Sequence, residues 1–370
     1  MGKLLFWMKV GVEKKCYQFI YILCLLKQPD EDKLTLATNR THELSGNLQN
    51  IYGELIKTGE NVKIHVLTKK SPFRDNLELL KAMATSKIVV IDDYFLPIYL
   101  IPKKWQRAKV VQVWHAIGNF KKVGRLLFGS ASGVSLEYSK MVNIHSNYDV
   151  MCVGSEAEKK MYQESFFIGH ENFAVTGIPK TDIYFKQRDF THLSGKKPIA
   201  VYAPTYRGNP KDDVSIVMGF LEKFAKGEAV FEWHVSLHPY VADNKQIGDY
   251  VAKHPRIKII PQGEVEMVLL ASELLVSDYS AIILEYLALE KPLFLYAPDY
   301  ETYKKSRGFY HDYVQELKGA LVSTREEMAK KMETYDFATL RRLGNLLFPF
   351  TDGNSTWRVA QLILKLLRRG

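Results

Sequence analysis

LLVSDYSAIILEYLALEKPLFLYAP (274–298) holds an apolar strand-like run, LLVSD (274–278), an amphipathic helical stretch, 280–289, and a second apolar run, PLFLYAP (292–298). Two strands joined through a helix lie parallel in one sheet. Strands this apolar are buried on both faces, so helices must cover the sheet on both sides. The same rhythm extends upstream. PIAVYAP (198–204), FEWHVSLHP (231–239) and RIKII (256–260) read as strands, with helical stretches at 213–226 and 264–271. Further upstream, KLTLAT (33–38), VKIHVLT (62–68), KIVVID (87–92), KVVQVW (109–114), YDVMCV (148–153) and FAVTG (173–177) repeat it around stretches such as 74–85 and 155–165. Between the two series lies TGIPKTDIYFKQRDFTHLSGKKP (176–198), whose Gly, Pro and charges suit a linker. Downstream, 325–345 reads as one helix, and WRVAQLILKLLRR (357–369) as an amphipathic helix with a basic end.

This pattern predicts an α/β chain of two doubly wound domains joined near residue 185. The first spans 1–185 and the second 186–345. The tail, 346–370, is an amphipathic helix expected to pack back on the first. Its 370 residues fit two or three domains and can bury a sizeable core. The cysteines, Cys16, Cys24 and Cys152, form no CxxC, which excludes a disulfide framework or a cysteine-built zinc site. The net charge of +10 favours an anionic partner: nucleotide, phosphate polymer or acidic lipid. No GxGxxG or GxxxxGK[ST] is present, which argues against a standard dinucleotide domain or P-loop nucleotidase. The 21 tyrosines fall mostly inside periodic runs, and no nucleic-acid-binding motif accompanies them, so no nucleic-acid partner is expected.

Doubly wound sheets bind ligands beyond the carboxyl ends of their strands, and polar residues cluster there. In VQVWHAIGNFKKVG (111–124), His115 follows a strand. It either takes a proton at neutral pH or merely hydrogen-bonds in the cleft. Lys121 and Lys122 are placed to face phosphate or lipid headgroups. In YAPTYRG (202–208), Thr205, Tyr206 and Arg207 follow a strand. The Arg207 fork suits phosphate or carboxylate, or else an interdomain salt bridge. In HVSLHP (234–239), His238 sits at a strand end. His234 lies roughly 13 Å away along the strand, which makes the two poor joint metal ligands. In the opening segment, a helix starting at Tyr279-Ser280 would leave free N–H groups for an anion. The Ser280 hydroxyl adds to them, and Asp278 or Ser280 alternatively serves as a plain cap. Glu285 falls in the second turn, on the route to a bound sugar. Finally KKSRGFYHDY (304–313) offers Lys304, Lys305 and Arg307 beside Gly308 and His311-Asp312. No compact carboxylate cluster is visible, so neither a protein-held metal nor a cofactor is expected.

WHAIGNFKKVG, YAPTYRG, SLHP, SDYSAIILEYLALEKP and RGFYHDY, in that order over about residues 87–345, resemble the CDP-glycerol glycerophosphotransferase family of teichoic-acid synthesis. Ala116 stands where the family's WHG motif has glycine. The resemblance implies a GT-B architecture, two Rossmann-like domains facing across a cleft. It implies transfer of glycerol phosphate from CDP-glycerol to a hydroxyl of a lipid-linked glycan, with release of CMP. It also implies peripheral attachment to the cytoplasmic face of a bacterial membrane. By this resemblance His115 matches the candidate base and His238 the HP histidine. Ser280 and Arg307 match residues around the donor diphosphate; Tyr279, Lys305 and Asp312 are further candidate substrate contacts, and Glu285 is a candidate to hold the ribose. The compact length resembles the short priming members, which add one glycerol phosphate to the N-acetylmannosamine of an undecaprenyl-diphosphate-linked disaccharide. The alternatives are a ribitol-phosphate transferase, a short poly(alditol phosphate) polymerase for teichoic acid or capsule, or a GT-B sugar-nucleotide glycosyltransferase. A non-enzymatic binding module would bind ligand without releasing CMP.

At the N-terminus, Cys16–Leu26 is an apolar run of 11 residues preceded by Lys3, Lys9, Lys14 and Lys15. It is too short to span a bilayer. Phe6, standing where a myristoylation signal needs Ser or Thr, removes that route to a lipid anchor. The segment is either a helix docked on the core or one lying on an acidic membrane surface.

Overall fold

The structure is a computed structural model; it describes residues 2–118, 121–130, 133–187, 197–227, 230–261 and 263–368. Strands form two all-parallel sheets. The first holds β1 (Asp30–Ala37), β2 (Lys63–Leu67), β3 (Ser86–Ile91), β4 (Lys109–Gln112), β5 (Val150–Val153) and β6 (Phe173–Val175), in the order β2-β1-β3-β4-β5-β6. The second holds β7 (Ile199–Ala203), β8 (Glu232–Val235), β9 (Ile257–Ile259), β10 (Ser272–Ser277) and β11 (Leu293–Leu295), in the order β11-β10-β7-β8-β9. The two compact units are Met1–Asp182 with Phe348–Gly370, and Ile183–Leu347.

Successive strand residues alternate between two buried layers, as the pleat requires. Leu34, Leu36, Ile88, Val90, Val111 and Val113 pack on Leu48, Ile51 and Leu55 of helix Gly46–Lys57, and on Val359, Ile363 and Leu364 of helix Ser355–Arg368. Ala37, Val89, Ile91 and Val110 face the opposite layer, with Leu79, Leu80 and Met83 of helix Pro72–Thr85 and Tyr17 and Tyr21 of helix Gly2–Cys24. Each large apolar side chain buried this way contributes about 1.5–3 kcal/mol. The last helix is fixed at its start by Asp182, whose carboxylate accepts the N–H groups of Ser355 (2.9 Å) and Thr356 (2.8 Å). A carboxylate there satisfies orphan donors and complements the helix dipole.

Three sequence expectations need correction. β4 stops at Gln112 rather than Trp114, because Trp114 adopts a left-handed φ of 49° that no strand accommodates. The single helix expected over 325–345 is two, Arg325–Glu333 and Phe337–Leu347. Between them, Asp336 accepts the Ala338 N–H (2.9 Å) and the Thr339 hydroxyl (3.0 Å), and the Tyr335 hydroxyl is drawn to the backbone of Leu293. The helix expected over 280–289 begins only at Ile282, runs to Tyr286 and tightens into the turn Leu287–Leu289. Of the linker stretch, 176–187 forms the turn Pro179–Thr181 and the helix Asp182–Lys186, while 188–196 lies outside the described residues.

Each sheet reverses its winding once. In the first, β2 lies on one side of β1 and β3 on the other; in the second, β8 and β10 flank β7. The crevice at such a reversal, beyond the carboxyl ends, is the binding position of this fold class. In the first unit it is bordered by Thr38–Arg40 and Asp92–Asp93, with His115 one strand over. In the second it is bordered by Thr205–Arg207 and Asp278–Ser280.

Candidate functional site

His115 is aimed by the way the chain leaves β4. The buried Gln112 side chain folds back: its Oε1 accepts the Trp114 N–H (2.8 Å) and its Nε2 donates to the Asp93 carbonyl (3.1 Å). This holds Trp114 in its strained conformation and turns His115 out at the carboxyl edge. Ala116 carries no positive φ, so a Cβ replaces the family's glycine there without backbone strain. The imidazole stacks on the Trp114 indole, centroids 4.5 Å apart. Its Nδ1 lies 2.9 Å from the Asp92 carbonyl. A carbonyl only accepts, so Nδ1 carries the proton and Nε2 keeps its lone pair.

Burial lowers the His115 pKa from its ordinary value; the Asp93 carboxylate, 3.9 Å away, opposes this, and Arg40 and Lys180 reinforce it. The group is therefore a neutral base at pH 7. Burial pushes the Asp92 carboxyl up to about 7, against the pull of Arg40 and Thr38. Arg40 also pairs with Asp93 at 3.5 Å. Arg40, Asp92, Asp93 and Lys180 escaped the reading of the sequence. The signal available was position alone, since all lie just past β1, β3 or β6. Lys121 is half-buried and Lys122 exposed; the intervening Asn119 and Phe120 lie outside the described residues. Further along, Gly124 has φ 55°, and a Cβ on it would stand 2.2 Å from the Ser165 carbonyl, so only glycine fits.

In the second unit the roles expected from the sequence change most at Arg207. Its side chain is buried and spent on carboxylates of its own unit. Nη1 donates to Asp278 (2.5 Å), Nε and Nη2 form a fork with Asp299 (3.1 and 3.0 Å), and the guanidinium lies over the Tyr279 and Tyr303 rings. Arg207 thus braces the site from beneath, its donors taken by carboxylates of its own unit. Asp278, fully buried, does not cap the helix either. Its carboxylate accepts the Thr205 N–H (2.9 and 3.1 Å) and the Tyr279 N–H, tying the ends of β7 and β10 together at the reversal. Tyr279 is buried, stacked on Tyr303 with centroids 4.0 Å apart, and its hydroxyl donates to Asp299 (2.9 Å). Its N–H is therefore not available to an anion. Thr205 contributes backbone to this brace. Asp299 was missed because it lies 92 residues from Arg207 in sequence.

Glu285, expected on a sugar, is buried and accepts the Tyr184 hydroxyl at 3.0 Å. Asp312, expected at the donor, accepts the Tyr300 hydroxyl (2.6 Å) and pairs with Lys304 (2.8 Å). Both are structural ties. Ser280 is half-buried and its hydroxyl lies 3.4 Å from the Ile282 N–H. Lys305 is exposed on the helix Tyr300–Ser306. Arg307 closes that helix, half-buried, and its guanidinium makes no ion pair or hydrogen bond among the described residues.

His238 caps the short helix Pro239–Ala242, with Nδ1 accepting the Tyr240 N–H at 3.4 Å. The neutral ring consequently carries its proton on Nε2. It is exposed and stacks on Tyr206 at 4.5 Å. His234 is held by Glu232 at 2.8 Å on β8, a structural pair. The two histidines of interest are thus opposite tautomers: His115 presents an acceptor nitrogen and His238 a donor.

The family model described as CDP-Glycerol:Poly(glycerophosphate) glycerophosphotransferase matches residues 19–365. The chain belongs to this family. Among its relatives, a teichoic acid poly(ribitol-phosphate) polymerase of Bacillus spizizenii is 32% identical over 94% of this chain, which spans 58% of that polymerase. A teichoic acid ribitol-phosphate primase of the same organism is 28% identical over 94% of this chain and 95% of its own length. A teichoic acid glycerol-phosphate primase of Bacillus subtilis is 27% identical over 83% of this chain and 81% of its own length. The solved structure of the wall teichoic acid polymerase TagF superposes with a TM-score of 0.72, covering 99% of this chain and 97% of that one at 19% identity. That likeness places both units of the chain in the GT-B fold class, as two Rossmann-like, doubly wound domains.

Proposed function

We propose that this chain transfers an alditol phosphate from a CDP-alditol to a hydroxyl of a lipid-linked glycan and releases CMP. The observation that carries the reading is the His115 tautomer: Nδ1–H bonded to Asp92 leaves a neutral Nε2 acceptor at the sheet's carboxyl edge. In the proposed step, His115 Nε2 takes the acceptor proton as the hydroxyl oxygen bonds to the alditol-bearing phosphorus. The bond from that phosphorus to the bridging oxygen breaks, and CMP leaves with the electron pair. In the second unit, the Nε2–H of His238 is a donor suited to a phosphate oxygen, and Arg307 and Lys305 offer positive charge to a donor diphosphate. Phosphoryl transfer needs chiefly such positioning and charge stabilisation. Lys121, Lys122 and Ser280 are further candidate contacts of donor or acceptor.

The relatives favour ribitol phosphate over the glycerol phosphate that the motifs imply, since the two matched over 94% of this chain at 32% and 28% identity carry ribitol in their names. The test is product mass after reaction with CDP-ribitol or CDP-glycerol and a lipid-linked acceptor. Mass gain from CDP-ribitol is expected; gain from CDP-glycerol alone would reverse the assignment. Transfer of a sugar from a nucleotide sugar, with neither alditol donor used, would point to the glycosyltransferase alternative.

The acceptor places the enzyme at a membrane, as a peripheral protein on the cytoplasmic face. No helix among the described residues is long and apolar enough to cross a bilayer. Helix Gly2–Cys24 docks one side on its unit: Gln18 Nε2 donates to the Leu100 carbonyl (3.0 Å), and the Tyr21 hydroxyl accepts the Arg107 N–H (3.0 Å). Its other side exposes Met8, Val12, Phe19, Ile22 and Leu23, with Lys9 and Lys15 among them. One side of the helix is thus docked, and the other is the side we propose lies on an acidic membrane surface. An apolar stripe with lysines suits an acidic bilayer interface, each lysine adding about 1 kcal/mol. Flotation with liposomes containing acidic lipid is expected for the wild type and lost in the F19E/L23E double variant. Equal flotation of both would exclude this face.

A further inference from the structure

We propose that Asn47 and Glu158 are positioning residues for His115, clamping the backbone on either side of it. The inference rests on His115 being the base. On the entry side, Asn47 of helix Gly46–Lys57 is 3% exposed. Its Nδ2 donates to the carbonyls of Val113 (3.1 Å) and Trp114 (2.9 Å), and its Oδ1 accepts the Lys180 N–H (2.9 Å). Both amide protons and the acceptor oxygen are thereby used, tying the end of β4 to the turn after β6. A bulky residue at φ 49° persists only where its surroundings over-determine it, and these bonds meet the carbonyl of that very residue.

On the exit side stands Gly118, with φ 52°. Its N–H donates to Oε1 of Glu158 at 2.7 Å, and the other carboxylate oxygen accepts the Gly154 N–H just past β5. Glu158 lies on helix Glu156–Ser165, and its side chain is buried. Burying a carboxylate is expensive, and burial pushes this carboxyl up to about 7, against the two N–H groups. What it obtains is a geometry no amide reproduces. A glutamine accepts one N–H and turns its own donor towards the other. Between the clamps lie only a few residues, His115 among them. Displacing a reacting group by about 1 Å costs roughly 10²-fold in rate.

The test is a double-mutant cycle on CMP release by the full chain, using wild type, E158Q, H115A and E158Q/H115A. E158Q is expected to lower kcat about 10–100-fold, with donor KM changed less than about threefold. In the H115A background the same change is expected to cost less than about twofold, because the geometry it protects is no longer used. An equal cost in both backgrounds overturns the clamp. Full activity in H115A overturns instead the reading of His115 as base, so the two failures are distinct. If E158Q loses cooperative thermal unfolding, N47S gives the same cycle at the entry side, under the same criterion. Loss of folding in both variants makes the pair core-stabilising groups and overturns the positioning role.

Discussion

Replacing His115 with alanine is expected to lower kcat for CMP release by about 10²–10⁴-fold, the usual contribution of a positioned base. The fold should survive. The imidazole makes one hydrogen bond to a carbonyl and stacks on Trp114, and it lies at the sheet edge, a quarter exposed. The backbone that carries it is held by Gln112 without its help. Thermal unfolding and donor binding should therefore match the wild type while turnover collapses. Normal turnover by the folded variant would remove His115 from the chemistry. H115Q should be nearly as slow: its amide can meet the Asp92 carbonyl, yet no glutamine takes a proton at neutral pH.

Replacing Asp278 with alanine should have the largest effect on stability. It leaves the Thr205 and Tyr279 N–H groups without their acceptor and strips the buried Arg207 of one of its two counter-charges. Breaking a buried ion pair from one side costs about 3–5 kcal/mol. For a unit of this size that corresponds to roughly 6–20 °C in Tm. The comparison is Asp312→Ala, whose partner Lys304 is exposed; solvent screens a pair of that kind, so its loss should move Tm far less. Calorimetry of both variants checks the contrast. Equal Tm values would show that the Arg207 network is not what holds β7 and β10 together at the reversal.

The candidate site residues divide by what the fold does with them. His115, His238 and Ser280 were visible as polar residues just past apolar strands, and each lies there; Lys305 and Arg307 lie further on, in and at the end of the helix Tyr300–Ser306. Arg207, Tyr279, Glu285 and Asp312 were visible by the same rule, yet the structure spends them on internal bonds. Residue type and position past a strand mark both kinds alike. What separates them is whether a partner waits inside the fold, and that partner is distant in sequence. Asp278 lies 71 residues from Arg207, and Tyr184 lies 101 from Glu285. The tautomers of His115 and His238 are each set by the hydrogen bond the other nitrogen makes, to the Asp92 carbonyl 23 residues away for His115 and to the Tyr240 N–H of the turn it caps for His238.

The alternation of strand and helix and the parallel sheets were determined by the sequence itself. Period-2 and period-3.6 burial are local properties, written into each run of residues. Which carboxylate meets Arg207, which carbonyl orients His115 and which amide holds its loop were decided only by the tertiary structure. Those are meetings of single side chains across many intervening residues, and no local pattern encodes them.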